Sequence, residues 1–242
     1  MNETRSTTRR CGLSGTALKL VACMTMLIDH IGASCIEARY GTAENCPAGL
    51  IEFDLVLRLI GRLAFPIFCF LLVEGFLHTH DVKKYIRRLL LFGVVSETPF
   101  DMAFFRTPFH WGHQNVYWTL ALGVIAMAAM RHFQDENGDL TWKSGLSAVV
   151  CALAAELAQT DYGAIGVALI VTLYLTRNSR KQQCIIGSVM MLFELTAPAA
   201  FLLVWHYNGE RGYCPKWAQR AFYLFYPVHL VVLGVITNVL LR

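Results

Sequence analysis

Apolar stretches follow one another along almost the whole 242-residue chain, and only short polar segments separate them. A helix needs about 20 mostly apolar residues to cross the hydrocarbon core of a bilayer. Stretches near that length predict membrane-spanning helices at residues 16–37, 54–77, 85–105, 116–132, 145–160, 163–176, 184–206 and 219–241. The pattern therefore predicts an all-α, polytopic membrane bundle of about 8–9 transmembrane helices, with a single domain over residues 1–242.

The number of spans depends on the stretch at 184–206. Pro198 divides this stretch into two pieces, and each is too short to cross a membrane separately without distortion. One kinked helix in this region gives eight spans, whereas a short helical hairpin gives nine.

Basic residues in the loops predict the orientation, because lysine and arginine concentrate on the cytoplasmic side of a membrane. They precede the first span and follow the second and the sixth: Arg5, Arg9, Arg10, Lys83, Lys84, Arg87, Arg88, Arg177, Arg180 and Lys181. The N terminus is therefore expected in the cytoplasm. The last basic cluster, in residues 211–220, is cytoplasmic too if the 184–206 region crosses twice or not at all. This favours nine spans and an outside C terminus.

Composition supports an integral membrane protein, since 55% of the residues are hydrophobic and only 16% are charged. The net charge of +4 is what membrane orientation alone produces, so no nucleic-acid partner is expected. Cys35 and Cys46 flank the first outside segment and are able to form a disulfide only if that side is oxidising and their geometry permits it. The sequence leaves that pairing open.

A lysine and a histidine lie on one face of the first predicted span. Lys19 and His30 are eleven residues apart, which returns nearly to the same helical face about 16 Å further along the axis. Asp29 is the neighbour of His30. Ionisable groups are costly in lipid and normally face a protein interior or a water-filled cavity, where they mark a functional path. The pattern predicts chemistry performed across the bilayer.

The second and third spans carry further charged residues. Arg58 and Arg62 share a face of the second span, with Arg62 at a depth close to that of His30 and Arg58 nearer the outer surface, where it is able to snorkel. Arg62 needs a carboxylate or ligand partner. Glu97 and Asp101, which share a face of the third span, are the candidates, and Arg62 paired with either forms a structural ion pair.

A second deep imidazole, His229, lies beside Pro227 in the last span, and Glu156 lies in the fifth. All of these ionisable groups are expected to converge on a common interior, because exposing any of them to lipid costs free energy. His110 and His113 have no apparent third or fourth ligand and are interpreted as loop residues, so no metal site is expected. The chain also has no recognisable phosphate-binding loop or nucleotide-binding glycine motif.

Several strings in the chain resemble the TraX family, membrane proteins named for the N-terminal acetylation of conjugative pilin. They occur in order at residues 18–32, 58–66, 74–79, 96–101, 114–116, 161–163, 207–212 and 225–229. The family is similar to the acyltransferase-three group of membrane acyltransferases, which share a basic residue, ten intervening positions and a histidine on the first helix. Lys19 and His30 have that spacing, with lysine where arginine is commoner. Residues 74–77 resemble the Ser-Gly-Phe-Leu string of that group, with Glu74 in place of the serine.

This resemblance implies a bacterial inner-membrane enzyme that takes an acetyl group from cytoplasmic acetyl-CoA. The implied acceptor is the N-terminal amine of a small membrane protein such as a pilin, with a glycan, lipid or other peptide as alternatives within such families. An imidazole suits the removal of the acceptor's proton at neutral pH, and His30 is the expected base or covalent acetyl carrier.

Roles for the other charged residues follow from that chemistry. Lys19 is expected to meet the CoA phosphates, and Arg62, with Arg58, to stabilise the negative oxygen of the thioester. Asp29 leaves the helix about 100° away from His30 and is a less direct partner than carboxylates from other helices. Those orienting candidates are Glu97, Asp101 and Glu156.

Two other functions account for part of the pattern. A proton-coupled transporter also uses deep charged residues and proline-broken helices, although the chain has no internal repeat and no matched pair of broken helices. A scaffold for assembly explains the hydrophobicity but leaves the charged residues in five spans unexplained.

Overall fold

The structure, a computed structural model, describes residues 12–40 and 46–240, and within these ranges it is helical with no β-strand. The α-helices are α1 (Gly15–Ile31), α2 (Ala38–Tyr40), α3 (Ala48–Gly61), α4 (Ala64–His78), α5 (Val82–Phe104), α6 (Val116–His132), α7 (Trp142–Leu157), α8 (Gly163–Leu175), α9 (Arg180–Met190), α10 (Ala200–Trp205) and α11 (Lys216–Val235). Two π-helical segments, Gly32–Glu37 and Ile236–Leu240, continue α1 and α11. The prediction of an all-α fold is confirmed.

Three helical stretches of the described chain are long and apolar enough to cross a membrane: Gly15–Tyr40, Gly49–His78 and Lys216–Val239. The apolar helices α6 and α8 are shorter. Large apolar side chains are exposed on the outside of the bundle, including those of Leu91 in α5 and Leu153 in α7. An exposed apolar surface of this extent is characteristic of a protein whose solvent is lipid.

The second predicted span, at 54–77, is two helices rather than one. α3 and α4 meet at Arg62 and Leu63, and α3 begins at Ala48, before the predicted start. Pro66 explains the break, because a proline has no N–H to donate to the carbonyl of Arg62 four residues earlier. Pro66 is accommodated in the first turn of α4, where a backbone N–H needs no partner.

The 184–206 region is a short hairpin rather than one kinked helix. α9 and α10 are joined by two 3₁₀ turns, Leu192–Glu194 and Ala197–Ala199, and they pack closely at Gly187, where a Cβ would overlap the ring of Phe201. The two helices have 11 and 6 residues, and neither reaches across a hydrocarbon core of about 30 Å.

After this hairpin the chain returns to the end of the bundle where α1 begins. The backbone N–H of Leu13 donates to His206 at 2.8 Å, and that of Asn208 donates to Leu13 at 3.0 Å. The basic residues after Asn208 therefore lie at the same end as the start of α1, as the charge pattern favoured. The cytoplasmic location of that end stays a prediction.

α1 packs against α3, α4 and α11, and glycines let α3 approach it closely. A Cβ at Gly61 would overlap the side chain of Asp29, and one at Gly32 would overlap that of Asp54. This close approach brings the arginines of α3 beside the end of α1. Cys35, in the π-helical continuation of α1, and Cys46 are both free thiols.

Candidate active site

A cavity of about 370 Å³ lies beside the end of α1. We call it the histidine cavity. Its charged and titratable lining is Asp29, His30, Glu37, Arg58, Arg62, His113 and Asp161, and its aromatic lining is Phe65, Phe68, Phe100, Phe104, Phe105, Tyr162 and Tyr226. Charged residues from α1 and α3 thus converge on one interior, and apolar rings form much of the remaining wall.

His30 and His229 form a hydrogen-bonded pair at this cavity. Nδ1 of His30 lies 2.7 Å from Nε2 of His229, and Nδ1 of His229 lies 2.7 Å from the carbonyl oxygen of Phe225. A carbonyl only accepts, so Nδ1 of His229 carries a proton and its Nε2, in the neutral ring, accepts from His30. A neutral His30 is then left with a lone pair on Nε2, to which no described residue donates.

Aromatic rings hold the two imidazoles in position. The ring of Phe104 meets His30 edge-on at 5.1 Å and that of Tyr226 at 5.9 Å, whereas Phe225 stacks on His229 at 4.8 Å. The imidazoles themselves are nearly parallel, with centroids 4.9 Å apart. A histidine held by a hydrogen bond to another imidazole and by packing has a defined tautomer and orientation, as a general base requires.

Asp29 pairs with an arginine rather than with its neighbour His30. Its Oδ2 lies 2.6 Å from Nη1 of Arg58, and Nε of Arg58 lies 3.2 Å from Glu37. Arg58 is therefore held between two carboxylates instead of snorkelling alone to the interface. The other oxygen of Asp29, Oδ1, is buried with no hydrogen-bond partner in the described chain.

Arg62 lies at the break between α3 and α4, and its partner is Glu194, at 2.8 Å. The expected partners were Glu97 and Asp101, and that expectation is wrong. Glu194 comes from the turn of the α9–α10 hairpin, which also contacts α3 through a hydrogen bond from Thr196 to the carbonyl of Leu59.

Tyr162 forms the wall of the cavity next to Arg62. Its ring stacks on Phe65 with centroids 3.6 Å apart, and its backbone is left-handed at φ +63°. Tyr162 lies in the connection before α8, and burial raises the pKa of its hydroxyl well above the ordinary value. The hydroxyl therefore stays neutral and is able to donate a hydrogen bond.

Glu97 and Asp101 do not line the histidine cavity. Glu97 accepts from Asn115 Nδ2 at 2.6 Å and from Trp118 Nε1 at 2.7 Å, and Asp101 accepts from the backbone N–H of His110 at 2.8 Å. These bonds fix the start of α6 and the loop before it. The catalytic assignment of the two residues stays a prediction.

None of the three carboxylates expected to orient His30 does so. Glu156 accepts from the backbone of Ala164 at 3.0 Å, at the start of α8. Glu97 and Asp101 have the partners given above. His229 takes the orienting position instead, from a helix that lies 199 residues further along the chain.

Lys19 lies at a second, smaller cavity of about 110 Å³, which we call the lysine cavity. Its Nζ is 5.3 Å from the centre of the Phe222 ring, a cation–π distance. Phe68 and Leu120 line both the lysine cavity and the histidine cavity. The two cavities are therefore neighbours along α1, as the eleven-residue spacing of Lys19 and His30 implied.

The sequence did not identify His113 and Glu194 as site residues. His113 was interpreted as a loop residue, yet it lines the histidine cavity, and its Nε2 lies 3.6 Å from Oδ1 of Asp161. Both residues reach the site through contacts between segments that are distant in the chain, so the spacing of residues within one helix does not predict them. In the described part of the chain, no group of three His, Cys, Asp or Glu side chains is arranged to hold a metal ion.

The His113–Asp161 pair predicts a pH-dependent stability. The hydrogen bond to Asp161 raises the pKa of His113, and partial burial opposes it. The stabilisation is complete below the unfolded pKa of about 6.5 and is lost as pH rises through the higher folded pKa. Both side chains are partly exposed, so we expect about 1 kcal/mol or less.

The measurement is the thermal unfolding midpoint of detergent-solubilised protein between about pH 5.5 and pH 8. The difference between wild type and Asp161→Asn should shrink as pH rises. A difference that stays constant or grows over this range contradicts the assignment.

The fold and the site together define an all-helical membrane protein with a histidine pair and three arginine–carboxylate ion pairs around one cavity. The family model described as "TraX protein" matches residues 14–237, nearly the whole chain. The chain belongs to the TraX family.

Two curated relatives extend over nearly the same length. The chain is 31% identical to "Probable fimbrial assembly protein FimC, serogroup H1" of Dichelobacter nodosus, over 93% of this chain and 96% of that protein. It is 25% identical to "Protein TraX" of Escherichia coli, over 90% of this chain and 85% of that protein. No solved structure gives a significant match.

Proposed function

We propose that this protein is a membrane-embedded acetyltransferase, which moves an acetyl group from cytoplasmic acetyl-CoA to an amine at the membrane or its outer face. The observation that carries the proposal is the His30–His229 pair, which leaves the Nε2 lone pair of His30 without a described partner on a residue of the cavity wall. A base held in one tautomer beside a partly apolar cavity is what acyl transfer requires.

In the proposed reaction Nε2 of His30 removes a proton from the neutral acceptor amine as the amine nitrogen attacks the thioester carbonyl carbon. A C–N bond forms, and the C–S bond then breaks. The departing CoA sulfur takes the proton from His30, so the imidazole returns to its starting state. His229 accepts from Nδ1 of His30 throughout and stabilises the imidazolium that forms in between.

Arg62 and Arg58 are the candidates for stabilising the oxygen that becomes negative during the attack. Each guanidinium has five N–H donors, and the ion pairs with Glu194, Asp29 and Glu37 engage only some of them. The remaining donors belong to residues that line the same cavity as His30. Fixed donors in a site that excludes water contribute strongly to such a transition state.

The lysine cavity supports a donor that approaches from the side where α1 begins. Lys19 is a point charge suited to a phosphate, and the cavity beside it adjoins the histidine cavity at Phe68 and Leu120. We propose that this end of the bundle is cytoplasmic and that the membrane is the bacterial inner membrane.

The names of the two relatives support a choice of acceptor. One relative is named as a probable fimbrial assembly protein and the other as TraX. We therefore propose a pilus-related role, with the N-terminal amine of a pilin-like membrane protein as acceptor.

Lys19→Ala is expected to weaken acetyl-CoA binding by about tenfold, because it removes one charge–phosphate contact. Lys19→Arg, which keeps the charge, should bind nearly as well as wild type. The dissociation constant and the turnover number are measured on the same preparations. A lower turnover with unaltered acetyl-CoA affinity would show that Lys19 has a different role.

The proposal is tested by acetyl-CoA binding and slow thioester hydrolysis with purified protein in detergent. Saturable binding together with hydrolysis supports the transferase. Well-folded protein that neither binds nor hydrolyses acetyl-CoA would refute it, and the transporter alternative would then come first.

A further inference from the structure

A third cavity, of about 510 Å³, lies against the histidine cavity on the side of the α7–α8 connection. We call it the glutamate cavity. Glu156, Asp161 and Glu194 line it, together with Arg62, His113 and Tyr162. Part of this lining is exposed, including Gln159 and Phe193, so the cavity opens to the surroundings of the protein.

Four residues separate the glutamate cavity from the histidine cavity, because they line both: Arg62, His113, Asp161 and Tyr162. Two ion pairs close this partition, Arg62–Glu194 at 2.8 Å and His113–Asp161 at 3.6 Å. All four of these side chains are partly exposed, and partly exposed ion pairs are only weakly stabilising. The partition is therefore made of side chains that are able to part at low cost.

The mouth of the glutamate cavity has an apolar rim. Two of the residues that line it have exposed apolar side chains: Phe193 is 56% exposed and Ile165 is 40% exposed. In a membrane protein such side chains face lipid or its boundary with water. The mouth thus combines a lipid-facing edge with a polar interior.

We infer that the glutamate cavity is the entrance for the acceptor, and that the acceptor is a membrane-held polypeptide that enters by a free amine at its end. The inference rests on the proposed function and assigns the acceptor a route of its own. The apolar rim matches a chain held in lipid, and the polar interior matches its amino end. The route leads past Arg62 and Tyr162 directly to the wall that carries His30.

Charge in the glutamate cavity favours an amine over an acidic group. Three carboxylates face one arginine and one histidine, and Glu194 and Asp161 are the partners of these two bases. Glu156 has no cationic partner in the described chain and accepts only from a backbone N–H. A protonated amine is thereby attracted to the mouth, where it gives its proton to solvent water, and the neutral amine then reaches His30.

Donor and acceptor consequently approach from different sides. The lysine cavity meets the histidine cavity at Phe68 and Leu120, whereas the glutamate cavity meets it at Arg62, His113, Asp161 and Tyr162. No residue belongs to both of these groups of shared lining residues. Both substrates are therefore able to occupy the protein at once, as direct transfer between them requires.

The test narrows the glutamate cavity with a bulky side chain. Ile165 of α8 lines the cavity and is 40% exposed, so Ile165→Trp adds volume inside it with little risk to the core. Leu175→Trp is the matched control, since Leu175 lies on the same helix with 42% exposure and lines none of the three cavities. The probe is a short apolar peptide with a free α-amine and a dodecyl amide at its other end.

The measured quantity is the ratio of peptide acetylation to acceptor-free hydrolysis of acetyl-CoA. We expect Ile165→Trp to lower this ratio about tenfold, through a higher KM for the peptide, and Leu175→Trp to keep the wild-type ratio. An unchanged ratio in Ile165→Trp, or an equally lowered ratio in Leu175→Trp, contradicts the assignment of the glutamate cavity as the acceptor entrance. If Ile165→Trp loses hydrolysis as well, Gly112→Trp in the loop before α6 decides by the same criterion.

Failure of the entrance is distinguishable from failure of the proposed function. Wild-type protein that hydrolyses acetyl-CoA but does not acetylate the peptide overturns the entrance and leaves the transferase standing. Wild-type protein that neither binds nor hydrolyses acetyl-CoA overturns both.

Discussion

His30→Ala is expected to lower acetyl transfer to near background, by on the order of 10²–10⁴-fold, because it removes the only base that the proposed mechanism uses. The residual rate should come from binding and from the arginines, which the substitution leaves in place. The measurement is turnover of acetyl-CoA with and without the peptide acceptor, in protein whose thermal unfolding matches that of wild type.

A control variant and a chemical rescue accompany this experiment. His132→Ala removes an exposed imidazole at the end of α6 and should retain full activity. Added imidazole should restore part of the activity of His30→Ala, because the substitution enlarges a cavity that already measures about 370 Å³. Full activity of His30→Ala without imidazole would exclude the mechanism.

His229→Phe is the second change with a large expected effect. A phenyl ring fills the space of the imidazole but does not accept from Nδ1 of His30, so the base loses its fixed tautomer and orientation. Loss of a residue that orients a catalytic side chain lowers activity on the order of tenfold to a hundredfold. We expect the loss in kcat, with the KM for acetyl-CoA little changed, because His229 does not touch the donor in this mechanism.

His229→Gln separates orientation from simple packing. Its amide oxygen is able to accept from His30, so it should recover part of the kcat that the phenylalanine variant loses. The pH dependence of kcat should also change in His229→Phe, since the imidazolium of His30 loses its stabilising partner. A higher KM at unchanged kcat in His229→Phe would mean that His229 binds substrate instead.

The sequence predicted the part of the site that depends on helical periodicity. Lys19 and His30 lie at adjoining cavities, and Arg58 and Arg62 reach the histidine cavity, because spacings on a straight helix determine which side chains share a face. The all-α class followed from apolar stretches whose length only a membrane explains. The α3–α4 break was not predicted, since residues 54–77 were interpreted as one span; its local cause is Pro66, which cannot hydrogen-bond to the carbonyl four residues earlier.

The pairings between helices were not predictable from spacing. Arg62 was expected to find Glu97 or Asp101 at a similar depth, yet both carboxylates are engaged by donors from the loop and helix that follow them. Glu194 became available only because the 184–206 region turns back as a hairpin. Helical spacing predicts how deep a side chain lies in the membrane and on which face of its helix. It does not predict which residue of another helix that side chain contacts.

The contact between the first and last helices bears on how the protein is made. The start of α1 is held by the backbone of residues 206–211, and the histidine pair joins positions 199 residues apart. α1 is therefore synthesised long before α11, the helix that carries His229. A chain truncated before His229 contains every other charged residue of the histidine cavity but not the acceptor for His30. The histidine pair is completed only when the last helix arrives, so an unfinished chain lacks an oriented base.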